Sequence, residues 1–259
     1  MQLQFYKYQG TGNDFVVFDN RHHKLNLGIL DIPAICDRRF GIGADGLIAI
    51  EDHDEADFNM VYFNSDGSQS FCGNGSRCAV VFAQHLGLIE GKTTFLSTDG
   101  IHEAEILTNG DVKLKMHDVD GIKLLGMAYE LNTGSPHYVT YHADLDSLDL
   151  LPAAKSIRYN DTYTSHGINV NFIHPESDGL HIRTYERGVE DETLSCGTGV
   201  TAAALVHHLH REQGNGSFVT DVISKGGKLR VHFTFLRGSF TDIYLEGPAK
   251  FVFVGDLVV

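Results

Sequence analysis

The chain has 259 residues, of which 42% are hydrophobic, and a formal net charge of −14 at pH 7. This composition supports a packed core and excludes an intrinsically disordered chain. The 20 Lys and Arg residues form no basic block, which argues against nucleic acid or an anionic membrane as a partner. No apolar run approaches the ~18 residues of a membrane span, and the first residues lack the layout of a signal peptide. We therefore expect a cytoplasmic protein that acts on a small molecule.

The first half of the chain alternates short apolar segments with glycine-rich turns, a pattern typical of strands. A short helix is predicted at 31–40, and the apolar run after Cys72 predicts a buried helix that ends near Gly87. The glycine loop 41–46 is not followed by the lysine of a phosphate-binding loop. Strands are predicted at 3–8, 15–18, 47–50, 58–63, 93–96, 101–107 and 112–116.

The second half repeats this layout after a link at residues 117–124. A loop is predicted at 133–137, and residues 144–156 are predicted to be helical or irregular. A second apolar helix follows Cys196 and ends near Gly214. The apolar segment 251–254 has no place in this second module. Strands are predicted up to 131 and at 138–141, 168–174, 180–185, 218–223, 228–234 and 241–246.

Two cysteine loops are the strongest feature of the repeat. Cys-Gly-Asn-Gly occupies residues 72–75, and Cys-Gly-Thr-Gly occupies residues 196–199. Thr-Gly turns at 11–12 and 133–134 precede them at nearly the same separation. Because the Thr-Gly turns and the cysteine loops occur in the same order in both halves, the chain is predicted to contain two diverged copies of a module of roughly 120 residues. We therefore predict an α+β fold of two pseudo-symmetric domains, each a bent, mostly antiparallel sheet around a central helix.

Each cysteine loop places its sulfur at a helix N-terminus. The unpaired amides and the positive dipole end favour an anion there, and they favour thiolate over thiol. Epimerisation needs a base on one face of a stereocentre and an acid on the other. Cys72 and Cys196 have the chemistry to exchange these two roles. We expect Cys36 and Cys78 to be inert core residues.

The sequence offers no cofactor site. Cys72 and Cys78 have poor spacing for zinc, and no second Cys/His pair stands at ligand spacing. Motifs for pyridoxal phosphate and nicotinamide are also missing from the sequence. We therefore expect a protein that works without metal or cofactor. The four cysteines suit a reducing compartment, with their thiols free.

Seven motifs in the same order form a recognisable pattern between positions 12 and 199. They are Gly12-Asn13-Asp14-Phe15, Asp37-Arg38-Arg39-Phe40-Gly41-Ile42-Gly43, Asn64-x-Asp66-Gly67, Cys72-Gly73-Asn74-Gly75-x-Arg77-Cys78, Thr133-Gly134-x-Pro136-His137, Tyr185-Glu186-Arg187-Gly188 and Cys196-Gly197-Thr198-Gly199. In these motifs the chain resembles the diaminopimelate epimerase family. The resemblance implies a cofactor-free epimerase that interconverts LL- and meso-2,6-diaminopimelate.

The resemblance also implies where the substrate lies and which residues bind it. Cys72 and Cys196 would be the catalytic pair, on opposite faces of the α-carbon, with the substrate in a cleft between the domains. The last strand would return to the first domain, which gives domains at 1–117 with 249–259 and at 118–248. We also expect a homodimer. The implied substrate-binding residues are Asn13, Asn64, Gly73, Asn74, His137, Asn169, Glu186, Arg187, Gly197 and Thr198.

Simpler interpretations exist for several of these residues. The three asparagines outside the cysteine loops are also good turn formers, and His137 is also a candidate turn residue. Glu186 and Arg187 would, as a solvated ion pair, contribute little. Their place at the end of a strand instead favours recognition of the distal ammonium and carboxylate of a zwitterion.

Two positions depart from the family pattern. The family commonly has Asn where Ser135 stands and often Gln where Gly46 stands, and both positions touch substrate in relatives. The stretch 64–72 is one residue shorter than usual, and the stretch 187–196 is one residue longer. These departures leave the two cysteines intact and bear on the fine contacts to substrate.

Three other functions compete with this interpretation. A proline-racemase-like enzyme usually has His where Asn74 stands, and proline would not use the distal pair Glu186 and Arg187. A non-catalytic anion- or amino-acid-binding protein would not need both thiols. A thiol hydrolase would pair one cysteine with a histidine and leave the second cysteine without a role.

Overall fold

The computed structural model describes residues 2–22 and 25–258. The chain divides into two compact units. The first comprises Met1–Leu114 and Gly247–Val259, and the second comprises Lys115–Glu246. These bounds lie within a few residues of the predicted domain boundaries.

The first unit combines strands with two helices. Its elements are β1 (Gln2–Gly10), β2 (Asn13–Asp19), a 3-10 turn (Leu27–Ile29), α1 (Ile32–Cys36), β3 (Gly46–Glu51), β4 (Phe58–Asn64), α2 (Gly73–His85), β5 (Lys92–Ser97), β6 (Gly100–Ile106) and β7 (Val112–Lys115).

The second unit has the same kinds of element in a longer series. They are β8 (Val119–Asp120), β9 (Lys123–Leu125), β10 (Ala128–Asn132), β11 (Pro136–Tyr141), α3 (Leu150–Arg158), β12 (Asn169–Glu176), β13 (Gly179–Glu186), β14 (Asp191–Thr193), α4 (Gly197–His210), β15 (Gly216–Ser224), β16 (Gly227–Leu236) and β17 (Ser239–Gly247). The chain then closes with β18 (Lys250–Val258).

The two units share one pattern of strand pairing. In the first, β1–β2, β3–β4 and β5–β6 pair antiparallel, whereas β2–β3 and β4–β5 pair in parallel. In the second, β10–β11, β12–β13 and β15–β16 are antiparallel, whereas β11–β12 and β13–β15 are parallel. The same alternation in both halves confirms the predicted α+β repeat.

The final strand belongs to the first unit. β18 pairs antiparallel with β1, so that Phe5 faces Gly255 and Tyr8 faces Phe251. A Cβ at Gly255 would lie 2.7 Å from the Phe5 ring, which explains the glycine in the middle of this strand. The apolar segment 251–254, which has no place in the second module, therefore completes the sheet of the first.

Each unit wraps its sheet around one apolar helix. α2 packs against β1 to β4, and α4 packs against β10 to β13, β15 and β16. Most of each helix is buried, including its first turn. α2 ends at His85, and Gly87 follows with a φ of 73°, as the predicted C-terminal glycine requires. No helix in residues 2–22 and 25–258 has the length and apolar character needed to cross a membrane.

Several element boundaries differ from the prediction. α1 ends at Cys36 instead of residue 40, because the Asp37 carboxylate accepts hydrogen bonds from the amides of Arg39 and Phe40, each at 2.7 Å, and closes a turn. α4 ends at His210, short of Gly214.

Three short segments were assigned wrongly or missed. The predicted link 117–124 contains β8, which pairs with β17, and part of β9, which pairs with β10. These strands are too short to give a clear alternating pattern. Pro136 and His137 begin β11 instead of ending a loop. β14 was not predicted at all; it pairs with the end of β13.

Candidate functional site

Cys72 caps the N-terminus of α2. The backbone at Cys72 is extended, and the Gly75 amide donates to its Sγ at 3.4 Å. A sulfur therefore takes the place of the oxygen that Ser or Asp normally supplies at an N-cap. The amide and the helix dipole both favour a negatively charged sulfur. This is the local environment predicted for a reactive cysteine.

Asn13 brings an amide oxygen to the same sulfur. Its Oδ1 lies 3.7 Å from Cys72 Sγ and 3.2 Å from Asn74 Nδ2, and its Nδ2 donates to Asp45 Oδ2 at 2.7 Å. Because a carboxylate only accepts, Asp45 fixes which end of the Asn13 amide faces the cysteine. Asp45 was not predicted as a site residue, although it lies in the glycine loop 41–46.

A charged network holds Asp45 and its neighbour Asp14 in place. Arg38 donates to Asp14 Oδ1 and to Asp45 Oδ1, each at 2.7 Å. The buried Lys7 forms an ion pair with Asp14 at 2.7 Å and also contacts the Gly43 carbonyl. Burial alone would raise the pKa of Asp14, but the hydrogen bonds from Arg38 and Lys7 outweigh it and lower that pKa to about 2. Asp14 is therefore ionised at neutral pH.

Arg77 is buried within the first turns of α2, with a relative exposure of 0%. Its guanidinium donates to Asn74 Oδ1 at 3.0 Å, to Thr11 Oγ1 at 3.2 Å and to the Gly73 carbonyl at 3.4 Å. It thereby ties the cysteine loop to the Thr-Gly turn that precedes it by some sixty residues. No carboxylate of residues 2–22 and 25–258 forms an ion pair with it.

Cys196 occupies the matching position at the start of α4. Its backbone is extended, and its carbonyl accepts from the Val200 amide at 2.9 Å. Its Sγ lies 3.4 Å from Thr198 Oγ1. The two cysteines therefore share a helix N-terminus, but the neighbouring side chain is an amide at Cys72 and a hydroxyl at Cys196.

His137 is buried beside this second loop. Its Nε2 lies 2.9 Å from Thr198 Oγ1, and its Nδ1 lies 3.1 Å from Asn171 Nδ2. Burial and the nearby positive charge of Arg187 lower the pKa of His137 to about 3. The imidazole is therefore neutral at physiological pH, and both of its nitrogens are engaged by protein groups. The alternative of a turn residue is excluded, because His137 lies in β11.

Asn169 joins the Thr-Gly loop to the end of β13. Its Nδ2 donates to Ser135 Oγ at 2.8 Å and to the Pro136 carbonyl at 2.9 Å, and its Oδ1 accepts from the Arg187 amide at 2.9 Å. The Arg187 side chain is exposed and donates to the His166 carbonyl at 3.1 Å. Glu186 is half-buried at the last position of β13.

Asn64 lies at the end of β4, where the chain turns. Its Nδ2 donates to Ser68 Oγ at 3.0 Å and to Ser70 Oγ at 3.1 Å. Its Oδ1 accepts from the Tyr62 hydroxyl at 3.0 Å. These contacts are those of a turn-forming asparagine, in keeping with the simpler interpretation of this residue.

Apart from Asn64, the predicted residues therefore fall into two local groups, one in each unit. The first comprises Asn13, Cys72, Gly73 and Asn74, and the second comprises His137, Asn169, Glu186, Arg187, Cys196, Gly197 and Thr198. Cys36 and Cys78 are buried core residues as predicted, and burial raises the pKa of Cys36 to about 11.

Sequence reasoning missed Asp45, Arg77 and Asn171. Arg77 lies within the motif that runs from Cys72 to Cys78. Asn171 follows Asn169 by two residues on β12, which places both on the same face of the strand. These two features of the sequence could have identified Arg77 and Asn171 as residues close to the cysteine loops.

One other cluster has the residue types of a metal site. Glu176, Asp178 and His181 place their ligand atoms within 4.8 Å of one another at the turn between β12 and β13. The two acidic residues are exposed, and His181 Nε2 lies 2.8 Å from Asp178 Oδ1. This cluster belongs to neither cysteine loop.

Solved structures with a similar fold include enzymes that invert stereocentres. A phenazine biosynthesis protein of the PhzF family from Bacillus anthracis has a TM-score of 0.78 at 14% identity, with 100% of both chains covered. A hydroxyproline epimerase from Agrobacterium vitis has a TM-score of 0.66 at 15% identity, covering 99% of this chain and 92% of that one. At these identities the likeness shows the fold alone, which is one shared by epimerases.

Comparison of the amino-acid sequence identifies the family as well as the fold. The family model described as diaminopimelate epimerase matches residues 5–121 and 129–252. A diaminopimelate epimerase of Flavobacterium psychrophilum is 48% identical over 256 residues, covering 97% of this chain and 98% of the relative. A diaminopimelate epimerase of Chlorobaculum tepidum is 42% identical over 259 residues, covering 96% of this chain and 99% of the relative. The protein is thus an isomerase. It belongs to the diaminopimelate epimerase family.

The charged network at Asp14 predicts a pH-dependent stability. Because its pKa is lowered on folding, Asp14 stabilises the fold above its unfolded pKa of about 3.9, and this contribution is lost as the pH falls towards about 2. We expect Asp14→Asn to lower the free energy of unfolding markedly at pH 6–7 and progressively less below about pH 4.

Urea unfolding of the unaltered protein and of Asp14→Asn, from about pH 2 to pH 7, measures the difference in their free energies of unfolding. The control is Asp54→Asn, which makes the same charge change at an exposed side chain with no hydrogen bond or ion pair to the described residues. A difference for Asp14→Asn that is constant with pH would contradict the ion-pair assignment.

Proposed function

We propose that the protein interconverts LL- and meso-2,6-diaminopimelate with Cys72 and Cys196 as the two acid–base groups. The observation that carries this proposal is the duplicated arrangement of a cysteine as the N-cap of a buried apolar helix. Membership of the diaminopimelate epimerase family supports the choice of substrate. The product serves lysine and peptidoglycan precursor synthesis, and the compartment that we infer is the cytoplasm.

The reaction uses each thiol on one face of the α-carbon. The thiolate removes the α-proton on its side, and the thiol on the other side returns a proton, after which the two sulfurs have exchanged protonation states. Orientation of the substrate against a positioned thiolate can offset up to roughly 7–11 kcal/mol of the barrier. The reverse reaction exchanges the roles of Cys72 and Cys196. No metal or cofactor takes part in the proposed steps.

The helix N-termini supply the electrostatic part of the mechanism. Amides of Gly73 and Asn74 at α2, and of Gly197 and Thr198 at α4, are candidates to hold the α-carboxylate. Charge that develops on the carboxylate as the proton leaves is stabilised by these pre-oriented dipoles. Arg77 adds a buried positive charge close to the Cys72 loop.

The distal end of the substrate is recognised by Glu186 and Arg187 in this proposal. Arg187 is exposed and has donors to spare beyond its bond to the His166 carbonyl, so its guanidinium can bind a carboxylate in a forked geometry. Glu186 would accept the distal ammonium. Asn13, Asn64, Asn169 and His137 complete the proposed substrate-binding set, with the last two also supporting the loops around them.

The direct test is incubation of the protein with LL-diaminopimelate in D2O. We expect meso product that carries deuterium at the inverted α-carbon, because the returning proton comes from a thiol in exchange with solvent. Mass spectrometry measures the deuterium content, and chiral chromatography measures the amount of meso product. The Cys72→Ser, Cys196→Ser double variant is the control, since hydroxyls are far weaker bases. Absence of both exchange and meso product with the unaltered protein would refute the proposed function.

The assignment of one thiol to each face makes a second prediction. Each single serine variant should lose epimerisation by orders of magnitude, because turnover needs both faces. Elimination from a β-halogenated analogue needs only the base on the face of the hydrogen. We expect Cys72→Ser to retain elimination with one α-configuration and Cys196→Ser with the opposite one. The same stereochemical preference in both variants would rule out a base on each face.

We also propose a homodimer, formed through β18. Its residues Phe251, Val252, Phe253 and Val254 are 44–52% exposed, an unusual apolar stripe for a strand of a monomer. We expect sedimentation equilibrium to give the mass of two chains and Val252→Asp to give the mass of one. Val219→Asp, at a similarly exposed valine of β15, is the matched control. A monomeric native protein would contradict the proposal.

A further inference from the structure

Asn171 lies at the centre of a buried network next to the Cys196 loop. It is 0% exposed. A Cβ at Gly199 would lie only 2.6 Å from its Oδ1, so the glycine in the first turn of α4 allows the amide to lie directly beneath that turn. Neither the amino-acid pattern nor the proposed mechanism assigns a role to this amide.

The orientation of the Asn171 amide is fixed by two neighbours. Its Nδ2 lies 3.0 Å from the Tyr138 carbonyl oxygen, and its Oδ1 accepts from Thr184 Oγ1 at 2.9 Å. A backbone carbonyl only accepts hydrogen bonds. The NH2 group must therefore face Tyr138, because the reversed amide would bring two oxygens together.

This orientation decides where the proton of His137 lies. The second hydrogen of the Asn171 NH2 group points to His137 Nδ1 at 3.1 Å. Nδ1 must then accept, so the neutral ring carries its proton on Nε2. A doubly protonated ring would set two N–H groups against each other. The lowered pKa of His137, caused by burial and by Arg187, agrees with a neutral ring.

The proton on Nε2 in turn directs the hydroxyl of Thr198. Nε2–H donates to Thr198 Oγ1 at 2.9 Å, which leaves the hydroxyl proton to find another acceptor. Among the described residues, the remaining partner of that hydroxyl is Cys196 Sγ at 3.4 Å. The hydroxyl therefore donates to the sulfur, and such a donor stabilises thiolate over thiol.

We propose that Asn171 is a positioning residue that holds His137 with its proton on Nε2 and thereby commits the Thr198 hydroxyl to the sulfur of Cys196. The proposal rests on the proposed function only in taking Cys196 as a catalytic group. From the Thr184 hydroxyl onwards each group donates a hydrogen bond to the next, through Asn171, His137 and Thr198 to the sulfur, while the Tyr138 carbonyl accepts the other hydrogen of the Asn171 NH2 group.

The first test is the tautomer of His137 in the unaltered protein. A long-range ¹⁵N–¹H correlation spectrum of the imidazole rings distinguishes a proton on Nε2 from one on Nδ1, and the His137 signals are identified by their loss in His137→Gln. We expect the Nε2–H form between about pH 6 and 8, where a free histidine titrates. An Nδ1–H ring, or an imidazolium at the upper end of this range, would overturn the proposal.

A pair of variants tests the role of Asn171. In Asn171→Asp a carboxylate faces Nδ1, so we expect a proton to appear on that nitrogen. Thr184→Val removes the other partner of Asn171 but leaves its contacts with Tyr138 and His137, so the ring should keep the Nε2–H form. If Asn171→Asp folds and still shows Nε2–H alone, Asn171 does not set the tautomer. If Asn171→Asp does not fold, the tautomer of His137 in the spectrum of the unaltered protein decides whether the proposal holds.

A second pair of variants, at Thr198, tests the hydrogen bond from the Thr198 hydroxyl to the sulfur of Cys196 without measuring turnover. Alkylation by iodoacetamide at pH 7, quantified by peptide mass spectrometry, reports the thiolate at each cysteine. We expect Thr198→Val to slow alkylation of Cys196 about tenfold, the effect of one lost hydrogen bond to an anion, with Cys72 as the internal control. Thr198→Ser should retain the rate of the unaltered protein. Equal rates in the Val and Ser variants would show that the hydroxyl does not donate to the sulfur.

Discussion

The whole arrangement depends on placing a sulfur on the first turn of a buried helix. A thiolate needs donors and positive potential, and the free amides of a helix N-terminus provide both without a charged side chain. The helix must then be surrounded by sheet, because α2 and α4 are apolar over most of their surface. Each unit meets this requirement with the same alternation of antiparallel and parallel strands.

Beyond this shared element the two sites have diverged. Around Cys72 the support is ionic, since Asp45 orients Asn13 and is itself held by Arg38, while Arg77 brings a buried positive charge. At Cys196 the contacting side chain is a hydroxyl backed by an uncharged imidazole. Equivalent sulfurs therefore lie in unlike surroundings.

The local features of the site were predictable from the amino-acid pattern, whereas its long-range contacts were not. The cysteines, glycines and apolar runs that start α2 and α4 lie within a few residues of one another, and the repeat makes them recognisable. The contact between Asn13 and Asp45 depends on the parallel pairing of β2 with β3, which no short window of sequence reveals. His137 was predicted in a loop because Pro136 precedes it, yet a proline is tolerated at the first position of a strand.

The glycine at position 46 is required by the packing of its own sheet. A Cβ at this position would lie 2.6 Å from the Phe63 carbonyl oxygen and 2.6 Å from the Tyr62 ring, so the backbone leaves no room for a longer side chain. The space is filled from the neighbouring strand by Tyr62, whose hydroxyl donates to Asn64 Oδ1. The Tyr62 hydroxyl thus places a polar group of β4 beside Asn64. Any side chain at position 46 would therefore meet both the Tyr62 ring and the backbone of β4, so Gly46 and Tyr62 pack as one structural unit.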